Sequence, residues 1–147
     1  MEKKIYFAYG SNLNHEQMSY RCPDAEFIGV GIIENYTMTF KGAGCGVADI
    51  IPCEGRSVPV GIWKISETDE RNLDRYEGFP RLYGKSLIHA KCGHNSVKGM
   101  VYTMAANKPV QMPSEAYFNV ILQGYIDCGI DTASFFKFVS ECKRTLI

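Results

Sequence analysis

A short segment near the start of the chain, YFAYGSNLN at positions 6–14, joins an apolar run to Gly10, Ser11 and Asn12. A strand that ends here and passes into a helix presents unpaired N–H groups in one direction. Glycine lets the backbone approach a ligand closely, so such a corner suits a carboxylate or a developing oxyanion. The simpler interpretation is a tight turn in which an asparagine caps the helix that follows, and spacing alone favours it.

A carboxylate surrounded by aromatic residues lies in the segment DRYEGFPRLYG, positions 74–84. Glu77 stands at the end of a predicted helix, between Tyr76 and the sequence Gly78-Phe79-Pro80. Loss of hydration among aromatic rings favours the neutral carboxyl and raises its pKa, which makes a base useful near neutral pH. The alternative is a solvated glutamate, which is slightly unfavourable at a helix C-terminus.

Motifs of several other classes are absent from the sequence. The nucleotide-binding patterns GxGxxG and GxxxxGK[ST] do not occur, and neither does GxSxG, which would have supported Ser11 as a nucleophile. His89, Cys92 and His94 are the one cluster of metal-ligand types, but three residues on an apparent hairpin lack a fourth ligand. We therefore expect neither a metal nor a cofactor.

The composition restricts the classes of partner. A chain of 147 residues fits one domain, which we predict to span positions 1–147. Lys+Arg and Asp+Glu both number 16, so no basic excess attracts nucleic acid or a membrane surface. No apolar run approaches the roughly 20 residues of a membrane span, and the N-terminus lacks a secretory apolar region. We expect a soluble cytoplasmic protein whose six cysteines are free and mostly buried.

The pattern of apolar residues predicts about six strands and four helices. Strands are expected at 4–9, in two runs within 26–42, at 47–51 and 58–65 around the polar turn 54–56, and in a hairpin formed by 82–90 and 97–104. Helices are expected after Asn14, Ser66, Ser114 and Asp131. Consecutive strands without intervening helices favour an α+β fold with antiparallel or mixed pairing.

Four segments in the same order resemble the gamma-glutamylcyclotransferase family across nearly the whole chain: YFAYGSNL, GVADII with VPVGIWKI, LDRYEGF, and PSEAYFNVILQGYIDCGI. The resemblance implies a small mixed β-barrel with flanking helices. It also implies conversion of a γ-glutamyl compound into 5-oxoproline, with release of an amine or amino acid and without a cofactor.

The resemblance assigns roles to eight residues. The loop holding the γ-glutamyl group corresponds to Tyr9, Gly10, Ser11, Asn12 and Leu13. The acid/base glutamate corresponds to Glu77, which takes a proton from the substrate's α-amine so that the amine can attack its own γ-carbonyl. Tyr117 corresponds to a substrate-contacting tyrosine, and Tyr83 is a weaker candidate for the pocket wall.

Several alternatives stay open at this stage. The helical spacing of Tyr117 with Val120 and Ile121 also fits a core position. The amides of residues 10–12 suit either the substrate's α-carboxylate or the oxyanion. A binding module without activity is the rival function, since fold alone does not imply function. The sequence leaves the leaving group open and does not separate a monomer from a homodimer.

Overall fold

The computed structural model describes residues 3–147, so positions 1 and 2 of the predicted domain lie outside it. Within these residues, the strands are β1 (Lys4–Ala8), β2 (Glu26–Lys41), β3 (Val47–Ile65), β4 (Tyr83–Cys92) and β5 (Asn95–Met104). They close into a barrel in the order β1-β3-β2-β4-β5. The flanking helices are α1 (His15–Arg21), α2 (Glu67–Glu77), α3 (Glu115–Cys128) and α4 (Thr132–Thr145). The predicted α+β barrel with flanking helices is confirmed.

The barrel is mixed because one pair of strands is parallel. β1 runs antiparallel to β3 along its whole length, from Lys4 opposite Ile65 to Ala8 opposite Gly61. It meets β5 in parallel at Tyr6 opposite Met100. β4 and β5 form the predicted hairpin, with Cys92 opposite Asn95 at its turn.

Two predicted interruptions are wrong: β2 and β3 are each one long strand rather than two short ones. The polar residues that suggested a turn form an irregularity inside the ribbon, where the register shifts between Glu34 and Tyr36. Asn35 and Gly55 both have positive φ, 63° and 81°, and the Gly55 N–H donates to Asn35 Oδ1 at 3.1 Å. Pairing with a long partner strand therefore overrides the local turn preference.

The predicted helix starts are confirmed by their caps. Asn14 accepts from the N–H of Gln17, and Ser114 accepts from the N–H of Tyr117. Ser66 and Asp69 form a complete capping box on α2. Such caps satisfy N–H groups that have no partner within a helix. None of the helices in the described part of the chain has the length and apolar character of a membrane span.

The cysteines are free thiols in three different environments. Three are buried, two are partly exposed and Cys45 is exposed, so fewer are buried than the sequence predicts. Burial raises the pKa of the Cys128 thiol to about 12. This thiol donates to the carbonyl of Leu13 at 3.3 Å. Buried thiols of this kind stay protonated and unreactive.

Candidate active site

One pocket brings together seven of the eight residues that the sequence analysis selected. They come from the end of β1, the segment that follows it, the end of α2, the start of β4 and the first turn of α3. The seven are Tyr9, Gly10, Ser11, Asn12, Glu77, Tyr83 and Tyr117. The rest of the lining was missed by the sequence analysis and consists of Tyr6, Phe7, Ala48 and Tyr102.

The corner after β1 is a single turn of 3-10 helix, Ser11–Leu13. The N–H of Leu13 donates to the carbonyl of Gly10, and the N–H of Asn14 donates to that of Ser11, both at 3.0 Å. The N–H groups of Ser11 and Asn12 precede these bonds and have no acceptor among residues 3–147. Two adjacent free N–H groups at a pocket wall form a site for an anionic oxygen.

Gly10 leaves room that another residue would fill. A Cβ atom at this position would lie 3.1 Å from the Cβ of Ala48 and 3.4 Å from the hydroxyl oxygen of Tyr117. The first distance is tighter than ordinary van der Waals contact, so a side chain here would crowd the opposite wall of the pocket. The glycine thus keeps the corner close to β3 and α3.

Leu13, which the resemblance places in the substrate loop, is not part of the pocket lining and lies in the core. Its side chain is fully buried, and a Cβ atom on Gly124 of α3 would lie 2.7 Å from the Cβ of Leu13. The neighbouring Asn14 donates through Nδ2 to the carbonyl of Val120 at 3.1 Å. Packing against α3 at these points holds the corner in place.

Glu77 is the last residue of α2, and Gly78 ends the helix in the left-handed conformation with φ 66°. Although part of the side chain reaches solvent, neighbouring groups crowd its carboxyl. This desolvation raises the pKa of Glu77 to about 7, while the positive charge of Arg21 acts in the opposite direction. The predicted rise agrees with the structure, and a carboxyl of this kind exchanges a proton readily near neutral pH.

Arg21, at the end of α1, is a polar neighbour of the site that sequence reasoning missed. It donates through Nη1 to Asn12 Oδ1 and through Nη2 to Gln17 Oε1, both at 2.7 Å. Its guanidinium carbon lies 3.5 Å from the centre of the Tyr76 ring, a cation–π contact. Only the four-residue spacing to Gln17 is visible in the sequence; the approach to Asn12 depends on how α1 folds back.

Three pocket tyrosines donate their hydroxyl hydrogens to acceptors of the protein itself. Tyr9 donates to the carbonyl of Tyr102 at 2.7 Å, and Tyr102 donates to Asp74 Oδ1 at 2.6 Å. Tyr83 donates to the carbonyl of Ala48. These bonds fix the walls of the pocket, because each buried hydroxyl has found a partner.

Tyr117 differs because its hydroxyl oxygen accepts a hydrogen bond. The N–H of Ala48 donates to it at 3.0 Å, and no acceptor for the Tyr117 hydrogen occurs within residues 3–147. Burial is the largest cause that raises the pKa of this phenol, so it stays protonated. Tyr117 thus packs against the core and lines the pocket, and its hydroxyl keeps a hydrogen that no described acceptor takes.

The possible metal cluster does not assemble in the part of the chain that the structure describes. Among residues 3–147, no group of three or more His, Cys, Asp or Glu side chains is close enough to hold an ion. His89 and Cys92 belong to β4, and His94 lies in the turn between β4 and β5.

Residues 6–119 match the family model described as "Gamma-glutamyl cyclotransferase, AIG2-like". This range holds all eight selected residues, and the chain belongs to this family. The gamma-glutamylcyclotransferase of Homo sapiens is 32% identical over an alignment of 85 residues that covers 52% of this chain and 45% of that protein. The protein of the same name from Bos taurus is 33% identical over the same shares. The matched region therefore spans less than half the length of these curated relatives.

The fold also matches solved structures. One named "Gamma-glutamyl cyclotransferase" superposes with a TM-score of 0.83 at 24% identity, covering 97% of this chain and 87% of that chain. At this identity the match shows a shared fold.

Proposed function

We propose that this protein is a cyclotransferase that converts a γ-glutamyl amino acid or γ-glutamyl amine into 5-oxoproline and the free amino acid or amine. One observation carries the proposal: a carboxyl with a pKa of about 7 shares a pocket with two free backbone N–H groups. The carboxyl supplies acid/base chemistry, and the N–H groups supply a site for negative charge. Membership of the family supports the same reaction class.

In the proposed reaction, the Glu77 carboxylate first takes a proton from the substrate's α-ammonium. The freed amine attacks the γ-carbonyl carbon, and a C–N bond forms while the carbonyl π electrons move onto its oxygen. When the carbonyl re-forms, the bond to the leaving nitrogen breaks, and protonated Glu77 returns a proton to that nitrogen. The ring nitrogen then gives its second proton to the Glu77 carboxylate, which passes it to the released amine, so the products are 5-oxoproline with a neutral ring amide and an ammonium group. One carboxyl thus moves the proton in both directions, which suits a pKa near the working pH.

The ring closure is intramolecular, so the protein's main task is to hold the substrate in the folded conformation. Well-oriented intramolecular reactions reach effective molarities of about 10⁵ M or more. The N–H groups of Ser11 and Asn12 would bind one anionic oxygen of the substrate, and the free O–H of Tyr117 would bind another group. Tyr9 and Tyr83 would act as walls, since their hydroxyls already donate to the backbone.

The pocket is small before substrate binds. Its free volume of about 30 Å³ holds little more than a water molecule, so side chains must shift for a γ-glutamyl group to enter. Tyr76 is the candidate to move, because it is 44% exposed and its hydroxyl lies 2.9 Å from Ser11 Oγ. Because Tyr76 is exposed, moving it costs less free energy than moving a buried tyrosine.

The test is an assay for 5-oxoproline with purified full-length protein. The substrate panel contains γ-glutamyl amino acids, γ-glutamyl amines and glutathione, and the variants are Glu77→Gln and the matched control Glu54→Gln, an exposed residue of β3. We expect product from the wild type and the control only, and the best substrate identifies the leaving group.

Two results would contradict the proposal in different ways. Turnover by correctly folded Glu77→Gln would remove Glu77 from the mechanism. No product from any substrate, together with binding of 5-oxoproline in calorimetry, would instead support a binding module without activity.

A further inference from the structure

Two of the five pocket tyrosines, Tyr6 and Tyr117, have hydroxyl oxygens that accept a hydrogen bond instead of donating one. A phenol has a single hydrogen, so an oxygen that only accepts from the protein keeps that hydrogen for another partner. Tyr117 was selected through the resemblance, whereas Tyr6 opens the segment YFAYGSNL but was assigned no role there. The direction of the Tyr6 hydrogen can be derived from its neighbours.

The orientation of the Asn12 side chain is determined by Arg21. A guanidinium group has only donors, so the atom of Asn12 that lies 2.7 Å from Arg21 Nη1 must be the carbonyl oxygen. The amide nitrogen then faces Tyr6, and Asn12 Nδ2 donates to the Tyr6 hydroxyl oxygen at 3.0 Å. The amide nitrogen has no lone pair to accept with, so the Tyr6 hydrogen cannot point towards Asn12.

Arg21 is itself held in place by two further contacts. Its second terminal nitrogen donates to Gln17 Oε1 at 2.7 Å, and its guanidinium lies over the ring of Tyr76. The hydrogen bond to Gln17, on the same helix, holds the guanidinium beside Asn12 also when Tyr76 shifts. Both hydrogen bonds, from Arg21 to Asn12 and from Asn12 to Tyr6, therefore have their donor on the side away from Tyr6.

The hydroxyl hydrogen of Tyr6 is left free to point into the pocket. Its oxygen has no acceptor within residues 3–147, its ring lines the pocket, and the edge-to-face contact with the Tyr102 ring at 5.9 Å fixes the ring plane. Burial is the largest cause that raises the pKa of this phenol, and Glu77 is the next. Tyr6 consequently stays protonated beside the carboxyl that must meet the substrate's amine.

We propose that Tyr6 is a catalytic residue that donates its hydroxyl hydrogen to the γ-carbonyl oxygen of the substrate, and that Arg21 is a positioning residue acting through Asn12. The inference rests on the proposed function. The amine that Glu77 deprotonates attacks the γ-carbonyl. Tyr6 lines the same small pocket as Glu77, so its hydroxyl is available to the oxygen on which charge develops. The hydrogen stays on Tyr6 throughout. The N–H groups of Ser11 and Asn12 are then assigned to the α-carboxylate.

The main test is the kinetics of 5-oxoproline release by Tyr6→Phe, which keeps the ring and removes the hydroxyl. We expect kcat to fall by about 10²-fold or more, as for other single oxyanion donors, with KM little changed. The acid limb of the pH profile should stay where it is in the wild type. Tyr125→Phe makes the same change at a fully buried position outside the pocket and should leave kcat unchanged.

Arg21→Met provides a second, independent test at a partly exposed helix residue. Without the guanidinium, the Asn12 amide can rotate and its oxygen can accept the Tyr6 hydrogen, which withdraws that hydrogen from the pocket. At pH 9 the Glu77 carboxyl is ionised in both proteins. There we expect Arg21→Met to lose less kcat than Tyr6→Phe does. The double variant should match Tyr6→Phe alone, because Arg21 acts through Tyr6.

Each outcome decides one part of the inference. Wild-type kcat in folded Tyr6→Phe, or a rise in KM alone, would overturn the catalytic role of Tyr6. Wild-type kcat in Arg21→Met at pH 9, or fully additive losses in the double variant, would overturn the positioning role. If the wild type makes product and Glu77→Gln does not, these failures leave the proposed function intact. A wild type without any product would overturn both.

Discussion

Helix α2 carries two glutamates into two different cavities, and the two differ in how their charge is balanced. Glu70 lines a cleft beside β1, β4 and β5 with a free volume of about 540 Å³. It accepts from Lys4 at 2.7 Å and from Lys85 at 2.8 Å. Burial alone would raise the pKa of Glu70, but the hydrogen bonds from the two lysines outweigh it and lower the pKa.

Glu77, seven residues further along the same helix, lines the tyrosine pocket with its free volume of about 30 Å³. Burial raises its pKa to about 7, and only the charge of Arg21 acts against the rise. Within residues 3–147 its carboxyl has no hydrogen-bonding or ion-pair partner. The smaller cavity therefore contains the unbalanced charge. Free volume does not identify the site here; an unpaired carboxyl beside unpaired N–H groups does.

The largest expected difference between the two glutamates is in catalysis. Glu77→Gln should reduce kcat by about 10³-fold, within the range for a lost general acid/base. Glu70→Gln should leave kcat near the wild-type value, because Glu70 faces the other cavity. Both are measured as 5-oxoproline release with the best substrate of the panel. Equal losses in the two variants would show that the effect comes from damage to α2 and not from chemistry.

Stability should change in opposite directions with pH in the same two variants. The folded pKa of Glu77 exceeds the ordinary 4.5, so between pH 4.5 and about 7 the folded state binds the extra proton and loses stability as pH rises. Glu77→Gln avoids this loss and should stabilise the protein at pH 8 relative to pH 4 by about 3 kcal/mol, at 1.36 kcal/mol per pH unit.

The lowered pKa of Glu70 gives the opposite sign. Its ionised form contributes stability above pH 4.5 that is lost as pH falls through the folded pKa. Glu70→Gln should therefore destabilise the protein more at pH 8 than at low pH. Urea unfolding at both pH values measures the two effects, and a pH-independent difference for Glu77→Gln would contradict the raised pKa.

A smaller effect is expected when the charge of Arg21 is removed. This charge lowers the pKa of Glu77, so in Arg21→Met the pKa should rise and the acid limb of kcat/KM should move to higher pH. Arg21→Lys keeps a positive charge and is the matched control. An acid limb at the same pH in wild type and Arg21→Met would show that Arg21 does not influence the carboxyl.

Local signals in the sequence were sufficient where one residue type determines the backbone. Asn14, Ser66 and Ser114 start helices because their side chains accept from N–H groups three residues further on. Gly78 ends α2 because glycine adopts the left-handed conformation without strain. The corner at residues 10–12 and Glu77 were indicated by such local patterns, and the resemblance to the family supplied the other pocket residues.

The remaining features depend on contacts between distant segments. The continuity of β2 and β3 follows from their pairing over most of their length, which no local pattern reveals. Leu13 is assigned to the substrate loop only by resemblance, and its burial under Gly124 comes from the docking of α3. Tyr6 and Arg21 are connected through Asn12 by side-chain hydrogen bonds. A single strand or helix pattern carries no information about such bonds.

The pH dependence of kcat/KM for wild-type 5-oxoproline release tests the central claim most directly. Glu77 must be ionised to accept the proton of the substrate's amine, so kcat/KM should rise with pH through an apparent pKa of about 7. The acid limb of kcat/KM reports the pKa of this carboxyl in the free enzyme. A limb near 4.5, the ordinary value for glutamate, would contradict the account, because it would mean that the pocket does not prepare Glu77 for its role.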